Sequence, residues 1–444
     1  MFKSIRKNVW IALILISSIL LVVPAFAASK TVLPQRSTWD ADMINSEDTG
    51  YTGKGVYVAV LDTGLAPNWK DFFPAARIAD KLGKGFKENV LWDVKTQTFI
   101  ESGAVYETGF IGSTGSTHGI HVASTIIGYS YYAPADAASG LALPPIYVKG
   151  LAPDATIIPV KVLSDYRIGK SHINEEYDTQ HLVFGTDRAI AAGIRYVTGL
   201  KLSGYSPMVI NMSLGGPGLS VVLRDAIDYA VGNGVIVVAS AGNEGAEGMG
   251  YPGAYAPVIS VGSSGWRYEW YGENTVAPPP RYRLWWLQDD TYGFNGISEP
   301  TPAGDVYISD FSSRELAGQD LDVVAPGSWV RGPYPGGPGY SHLPWWSNGL
   351  GWYNGRNPGN FYYLGGTSMS APHVASVSAM MLEKNPALSQ AAVEAILENT
   401  ALDIAPGSMS VWDLAAGAFV TISWGSDATG EGLAQADAAV SAVP

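Results

Sequence analysis

The sequence predicts an α/β fold in which a doubly wound parallel sheet carries helices on both faces. Three runs, residues 56–61, 208–212 and 234–239, are largely apolar, and each leads into small or polar residues. Continuous apolar strands are typical of parallel sheets that are buried on both faces. Segments with apolar residues at helical spacing separate these runs, as expected when strands and helices alternate.

Five segments have the helical spacing of apolar residues. The last of them follows Pro386 and starts with Ser389, a residue type that commonly caps helix N-termini. The predicted helices are residues 118–128, 179–199, 219–233, 368–384 and 389–399.

Two segments interrupt this alternation. Residues 266–297 and 327–364 are rich in Trp, Tyr, Gly and Pro, which indicates long, irregular, aromatic-rich loop insertions. We expect them to fold over or beside the functional cleft, because exposed aromatic residues often mark contact surfaces. A subunit interface or simple packing would account for the same composition.

The composition is that of a globular protein. The chain has 444 residues, of which 47% are hydrophobic and 15% are charged, so it can bury a large core. Its net charge of −13 argues against nucleic acid as a partner, because a phosphate backbone binds basic surfaces. Since the chain has no Cys, its stability has to come from packing or from bound ions.

The N-terminus has the pattern of a signal peptide. Basic residues precede a long apolar run, and an Ala-x-Ala sequence ends at Ala27. We predict that residues 1–27 are removed and that residues 28–444 form a secreted, extracellular protein. The alternative is that residues 9–28 stay in place as a membrane anchor, since they are just long enough to span a bilayer.

Four polar residues are candidates for one catalytic site. Ligands of open parallel sheets bind beyond the carboxyl ends of the strands, and Asp62 and Asn243 both follow apolar runs. His118 and Ser368 each open a predicted helix. A serine hydroxyl needs a base, a group that orients the base, and donors for the oxyanion that forms. The four residues offer one candidate for each of these roles.

Each candidate also has an ordinary structural interpretation. An Asp at a strand end often forms a turn, a Ser at a helix N-terminus is usually an N-cap, and an Asn in a Gly-rich loop is usually a turn residue. His118 and His121 have the spacing of metal ligands, but no third ligand lies nearby in the sequence. His121 and His373 are better interpreted as structural partners of their own helices.

The segments around these residues resemble the subtilisin-like serine proteases, the subtilase family. The matching blocks are AVLDTG, HGIHVAST, VINMSLGG, VASAGNEG, YPGAY, DFSS with LDVVAPG, and GTSMSAPHVAS. The resemblance covers about residues 38–444 apart from the insertions, and implies the subtilisin-like fold for the domain 28–444. It also implies a serine endopeptidase that works through a Ser-His-Asp triad and an acyl-enzyme intermediate.

The same resemblance assigns the catalytic roles. Asp62 would orient the imidazole, His118 would act as general base and then acid, and Ser368 would attack the carbonyl carbon. Asn243 and the backbone N–H of Ser368 would form the oxyanion hole. An idle surface or adhesion protein that binds glycans or proteins through the aromatic insertions is the alternative from another class. The complete set of four residues argues against it.

The resemblance further implies where a peptide would bind. Ser213, Leu214 and Gly215 would pair with the substrate backbone as an added strand. Gly250 would form the base of the pocket for the residue on the acyl side of the cut bond (P1), with Glu244 at its mouth. We therefore expect broad specificity with a preference for large apolar P1 residues, and proteins or peptides as the partners.

No metal ligands are assigned from the sequence, and catalysis by the triad requires no cofactor. Asp71 lies where compact subtilisins keep a calcium-binding Asp. The loop after the His118 helix, YSYYAPADAASGLALPPIYVKG, lacks the family's ligand pattern. A structural calcium ion is thus left open, and a surface position for Asp71 is the plainer expectation.

Overall fold

A computed structural model describes most of the chain from Gln35 onward. The described residues are 35–93, 95–96, 98–113, 117–131, 146–169, 179–271, 282–283, 297, 300–335, 346–347, 361–413 and 418–444. The predicted signal peptide, residues 1–27, lies outside them. No described helix has the length and apolar character needed to cross a membrane.

The three apolar runs form the centre of a nine-stranded sheet. Its pairings are parallel except at Thr98–Thr108 and Val306–Ile308, which pair antiparallel with their neighbours. The strand order is Val306–Ile308, Ile259–Trp266, Ile236–Ser240, Met208–Met212, Tyr57–Asp62, Thr156–Lys161, Lys84–Asp93 and Thr98–Thr108, with Val323–Pro326 also paired to Ile259–Trp266. The predicted α/β fold is thus confirmed.

Helices cover both faces of this sheet. They are α1 (Trp39–Asp42), α2 (His118–Ile127), α3 (Asp187–Leu202), α4 (Val221–Gly232), α5 (Thr367–Lys384), α6 (Gln390–Thr400) and α7 (Ala436–Ala442). The N-cap serines Ser220 and Ser389 accept hydrogen bonds from backbone N–H groups in the first turns of α4 and α6. Each cap satisfies an N–H that has no partner inside its helix.

The two-residue period of the strands divides the core into two layers. Within Tyr57–Asp62, Val58 and Val60 join the cluster that contains α2, α5, α6 and α7, whereas Ala59 and Leu61 join the cluster that contains α3 and α4. Successive side chains of a strand point to opposite faces of its sheet. An apolar run without polar interruptions therefore fills both layers.

Smaller sheets surround the central one. Three strands, Gln35–Arg36, Ile146–Lys149 and Gly128–Tyr131, form one of them, and Val330–Pro333, Phe361–Leu364 and Trp346–Ser347 form another. The remaining pairs are Ser164–Gly169 with Thr179–Phe184, Trp270–Tyr271 with Tyr282–Arg283, and Gly407–Asp413 with Ala418–Trp424.

The prediction of one helix over residues 179–199 is wrong in its first part. Thr179–Phe184 is a strand that pairs with Ser164–Gly169, and α3 begins only at Asp187. Thr186 caps α3, since its Oγ1 accepts a hydrogen bond from Ala189 N at 3.2 Å. The β-forming sequence TQHLVF and this cap mark the boundary between the two elements.

The aromatic segments differ from the predicted irregular loops where they are described. In the segment 327–364, Val330–Pro333 and Phe361–Leu364 pair antiparallel, and Phe361, Tyr362 and Tyr363 are buried in the core. These ends are therefore part of the packed domain. The middle of this segment and most of 266–297 lie outside the described residues.

Candidate active site

The strand register brings the predicted polar strand ends to one edge of the sheet. Asn211 lies opposite Val60 on one side and Val238 on the other. Ser213 lies two residues after Asn211. By the same register it is therefore next to Asp62 on one side and to Ser240, the last residue of the strand Ile236–Ser240, on the other. Neighbouring strands are about 4.8 Å apart, so these strand ends form one continuous rim.

Asp62 and His118 are in direct contact on this rim. His118 Nδ1 lies 2.9 Å from Asp62 Oδ2 and 3.0 Å from Oδ1. The Asp62 side chain is fully buried, whereas that of His118 is 26% exposed. Asp62 Oδ1 also accepts the N–H of Thr63 at 2.6 Å. The carboxylate is therefore held in place, and it fixes one ring nitrogen of His118 as a donor.

The pKa of His118 is raised above its ordinary value of about 6.5. Burial is the largest influence and by itself lowers the pKa, because it penalises the charged imidazolium. The negative charge of Asp62 and the hydrogen bond to its carboxylate together outweigh burial. Asp62 thus stabilises the protonated form of the ring.

Gly119 allows α2 to approach the end of the Asp62 strand. A Cβ atom on Gly119 would lie 2.6 Å from Gly64 O and 3.1 Å from Asp62 Oδ1. The N–H of Gly119 instead donates to Thr63 Oγ1 at 2.9 Å. The missing side chain therefore makes room for the end of the neighbouring strand.

Ser368 is the second residue of α5 and does not cap it. The N-cap position is Gly366, and the helix has no side-chain cap. Ser368 Oγ instead donates to Ser213 O at 3.3 Å, while Ser213 Oγ donates to Ser368 O at 2.7 Å. Ser368 is half-buried. Within the described chain no hydrogen bond joins it to His118, although α2 and α5 pack against each other.

Asn243 is attached to the start of α5 through its side-chain carbonyl. Asn243 Oδ1 accepts the backbone N–H of Thr367 at 2.9 Å and its Oγ1–H at 3.0 Å. A backbone N–H can only donate, so the atom facing it must be the oxygen of the amide. Asn243 Nδ2 consequently points away, and it has no partner among the described residues. It remains available as a donor beside Ser368.

The comparison with known families agrees with this architecture. The family model described as "Subtilase family" matches residues 53–436, which include all four candidate residues. The chain belongs to the subtilase family. It is a subtilisin-like serine protease, a hydrolase that acts on proteins or peptides.

Individual relatives are moderately similar to this subtilase. Subtilisin DY of Bacillus licheniformis is 30% identical over 368 residues, which cover 82% of this chain and 89% of the relative. Subtilisin E of Bacillus subtilis is 30% identical over 356 residues, which cover 79% of this chain and 62% of the relative.

Solved structures share the fold of this subtilase. Fervidolysin from Fervidobacterium pennivorans, described as a keratinolytic enzyme related to subtilisin, matches with a TM-score of 0.51 at 25% identity, covering 91% of this chain and 46% of fervidolysin. A protease of Pseudoalteromonas arctica matches with a TM-score of 0.53 at 24% identity, covering 91% and 94% of the two chains.

The predicted peptide-binding residues lie together beside this site. Gly216 and Tyr251 exchange backbone hydrogen bonds of 2.8 Å in both directions, which brings Gly250 against Gly215. The three atoms nearest to a Cβ atom on Gly250 would be backbone atoms of Gly215 and Gly216, at 3.5 to 3.8 Å. Leu214 is half-buried and Gly215 is exposed. The site therefore has an open edge formed by glycine backbone, next to Ser213 and Ser368.

The carboxylate of Glu244, predicted to lie at the mouth of the P1 pocket, forms hydrogen bonds with neighbouring residues of the chain. Glu244 Oε2 accepts the N–H of Asn243 at 2.6 Å and the hydroxyl of Ser313 at 3.0 Å. The residue is exposed, but its carboxylate is folded back on the Asn243 loop. It stabilises this loop while its negative charge remains near the site.

His121 of α2 and His373 of α5 form hydrogen bonds inside the protein core. His121 is buried, its Nε2 lies 3.1 Å from Val330 O, and burial together with the charge of His118 lowers the pKa of its ring to about 3. His373 is buried between Met369 O and Asp40 Oδ2, at 2.8 and 3.1 Å. Both rings face oxygen acceptors of the protein. Asp71, the predicted alternative for calcium, is exposed.

Two threonines beside the site were missed by the sequence analysis. Thr63 accepts the N–H of Gly119, and Thr367 orients Asn243. Both side chains are buried. Each directly follows or precedes a candidate residue in the sequence, in DTG and GTS, and this adjacency is the only signal that could have marked them.

Proposed function

We propose that this subtilase is an exported endopeptidase that cleaves peptide bonds with Ser368 as nucleophile, His118 as base and Asp62 as the group that orients His118. The observation that carries the proposal is the pair of short contacts between His118 Nδ1 and the buried carboxylate of Asp62. Because Nδ1 donates to Asp62, Nε2 is the ring nitrogen that can accept a proton.

The reaction begins when His118 Nε2 takes the hydroxyl proton of Ser368 and Ser368 Oγ attacks the carbonyl carbon of the substrate. The hydrogen bond from Ser368 Oγ to Ser213 O is long, at 3.3 Å, so little is lost when the hydroxyl turns towards His118. Asp62 stabilises the imidazolium that forms. His118 then gives the proton to the leaving amine nitrogen, and an acyl-enzyme remains.

A water molecule then hydrolyses the acyl-enzyme and regenerates the free serine. His118 accepts a proton from the water molecule, whose oxygen attacks the acyl carbon and releases Ser368 with the proton returned to its Oγ. In both steps negative charge develops on the carbonyl oxygen. Asn243 Nδ2 and the backbone N–H of Ser368 would stabilise this oxyanion, since an N–H in the first turn of a helix has no partner within that helix.

The glycine-lined edge supports the proposed substrate preference. An extended peptide would pair with Ser213, Leu214 and Gly215, and its P1 side chain would enter beside Gly250. Burial of a large apolar side chain contributes about 1.5 to 3 kcal/mol, so Phe, Tyr, Leu and Met would be preferred. The charge of Glu244 would favour Lys and Arg by about 0 to 1 kcal/mol and disfavour Asp and Glu.

Labelling with a fluorophosphonate tests the nucleophile. Wild-type protein should be labelled at Ser368, and Ser368→Ala should not be labelled. The matched control is Ser389→Ala, which removes an ordinary N-cap serine from α6 and should retain full labelling at a cost of about 1 kcal/mol in stability. Unlabelled Ser368 in folded wild-type protein would overturn the proposal. For export, the N-terminal sequence of the extracellular protein should begin downstream of Ala27.

A further inference from the structure

The carbonyl group of Ser368 lacks the hydrogen-bond donor that a regular helix would provide. In an α-helix the N–H of each residue donates to the carbonyl oxygen four residues earlier. The residue four after Ser368 is Pro372, which lies inside α5. Proline has no N–H, and its ring crowds the carbonyl of the residue four earlier. The sequence of α5 therefore leaves the carbonyl of Ser368 open to a donor from another element.

The hydroxyl of Ser213 is this donor. Ser213 Oγ lies 2.7 Å from Ser368 O, and because a carbonyl oxygen can only accept, the hydroxyl must donate. Ser213 is buried and directly follows the central strand Met208–Met212. The hydrogen bond therefore connects the central sheet to the backbone of the proposed nucleophile.

The side-chain amide of Asn211 fixes the direction of this hydroxyl. Asn211 Nδ2 lies 3.0 Å from Ser213 Oγ. Since the single hydrogen of the hydroxyl is donated to Ser368 O, Ser213 Oγ has to accept the second hydrogen bond. The atom of Asn211 that faces it must then be the NH2 nitrogen. The two hydrogen bonds thus run in one direction, from Asn211 through Ser213 to Ser368.

Packing alone does not account for an amide at position 211. Asn211 is fully buried, the other residues of the strand Met208–Met212 are apolar, and its partners in the neighbouring strands are Val60 and Val238. Its Oδ1 is buried without a hydrogen-bond donor among the described residues, and an unsatisfied buried oxygen is costly. An apolar residue would avoid this cost. The hydrogen bond to Ser213 gives the amide its purpose.

We propose that the side chains of Ser213 and Asn211 are positioning groups that hold Ser368 at a fixed distance from the substrate-binding edge. This inference rests on the proposed function, in which the backbone of residues 213–215 pairs with the peptide and Ser368 attacks its carbonyl carbon. Ser213 belongs to that edge through its backbone and contacts Ser368 through its hydroxyl. It therefore links the group that attacks to the surface that holds the bond to be cut.

The two hydrogen bonds between Ser213 and Ser368 differ in what happens to them during the proposed reaction. The bond from Ser368 Oγ to Ser213 O, at 3.3 Å, is lost when the hydroxyl turns towards His118. The bond from Ser213 Oγ to Ser368 O contains no reacting atom, so it can persist through acylation and deacylation. A misplacement of about 1 Å can lower a rate about 10²-fold. The persistent bond should therefore contribute to kcat.

Variants of the mature protein test this positioning role. Ser213→Ala removes the donor, and Ser213→Thr retains a hydroxyl as the rescue variant. The matched control is Ser378→Ala, which removes an equally buried hydroxyl that donates to Val374 O in the same helix at 2.8 Å. Fluorophosphonate labelling counts the active sites, so kcat is expressed per labelled Ser368 and an unfolded fraction does not contribute. The rate of labelling reports on Ser368 without a bound peptide.

We expect Ser213→Ala to lower both kcat and the rate of labelling about 10- to 100-fold. KM should change little, because the backbone that pairs with the substrate is retained. Ser213→Thr should recover most of the activity, and Ser378→Ala should equal the wild type. Equal kcat in Ser213→Ala and Ser378→Ala, or a raised KM with unchanged kcat, would overturn the inference and leave the proposed function intact. A wild type that is not labelled would overturn both.

Asn211→Asp tests the same chain of hydrogen bonds without a change at Ser213. An ionised carboxylate can only accept, so the hydroxyl of Ser213 would turn to it and release Ser368 O, whereas a protonated carboxyl group can donate as the amide does. The ratio of variant to wild-type kcat should therefore be nearest to one at low pH and fall as the new group ionises. Because burial raises the pKa of a carboxyl group, the profile should extend to about pH 10. A ratio that does not change with pH would overturn the role of Asn211.

Discussion

The two edges of the central sheet each contain a buried carboxylate, but the surroundings of the two carboxylates differ. At the carboxyl edge, Asp62 is fully buried but receives a ring N–H of His118 and the N–H of Thr63. At the amino edge, Asp322 is buried to nearly the same degree, accepts two hydrogen bonds from Ser260 and has the carboxyl groups of Glu394 and Glu398 beside it. Among the described residues, the buried carboxylate of one edge faces an imidazole, whereas that of the other faces further carboxylates.

This difference teaches how each edge is used. A buried charge is retained at little cost only when it is paired and hydrogen-bonded. The pair of Asp62 and His118 meets this condition within the chain, so the imidazole is held in one orientation. At Asp322, burial and the neighbouring carboxylates instead raise the pKa of the carboxyl group to about 8, which favours its neutral form. Substitutions at the first edge should therefore change catalysis, and those at the second should change stability.

The largest expected effect is that of His118→Ala at the carboxyl edge. In subtilisin itself, loss of the catalytic serine or histidine lowers kcat by about 2 × 10⁶, and we expect a loss of this order, with a lower melting temperature because the buried Asp62 carboxylate loses its partner. The double variant with Ser368→Ala should be no slower than either single variant, because the residues act as a unit. Additive losses would show that His118 acts outside the proposed triad.

Asn243→Ala should have the next largest effect. Removing an oxyanion donor costs about 10² to 10³ in kcat, a magnitude also measured in subtilisin, and KM should change little because the bond forms mainly in the transition state. Thr367→Val is the companion variant, since it removes one of the two bonds that orient Asn243. It should lose less activity than Asn243→Ala. An unchanged kcat in Asn243→Ala would contradict the proposed oxyanion hole.

Gly250→Val should change substrate preference more than turnover. The new Cβ has space, but the methyl groups would fill the pocket beside Gly215 and displace a large P1 side chain. Losing about 1.5 to 3 kcal/mol of apolar burial should lower the ratio of kcat/KM for Phe over Ala about 10- to 100-fold. A peptide library measures this ratio, with Gly250→Ala as the intermediate variant. An unaltered profile would refute the pocket.

The smallest effect concerns pH. His118 must be neutral to accept a proton, so activity should fall tenfold for each pH unit below its pKa. Since Asp62 raises this pKa, the acid limb of kcat/KM should have its midpoint above about 6.5. Glu394→Gln should leave the midpoint in place, because it lies at the other edge of the sheet. A midpoint below 6.5 in the wild type would be inconsistent with this interaction.

The local patterns of the sequence predicted most of the fold. The three predicted apolar runs are central strands of the sheet, among them Met208–Met212. The helices α2, α4, α5 and α6 begin and end within two residues of their predicted bounds. The prediction failed at Thr179–Phe184, which is a strand, because the helical pattern of the residues that follow was extended backwards over it. It also failed at Phe361–Leu364, where aromatic residues of the core have the same composition as an exposed loop.

The sequence by itself determined the family, the parallel sheet and the identity of the candidate residues, because periodicity and short motifs are properties of neighbouring residues. Only the tertiary structure decided that His118 Nδ1 meets Asp62, that Thr367 orients Asn243, and that Asp322 lies beside α6. These contacts join segments far apart in the chain. Their distances depend on strand register and on helix packing, which no local pattern encodes.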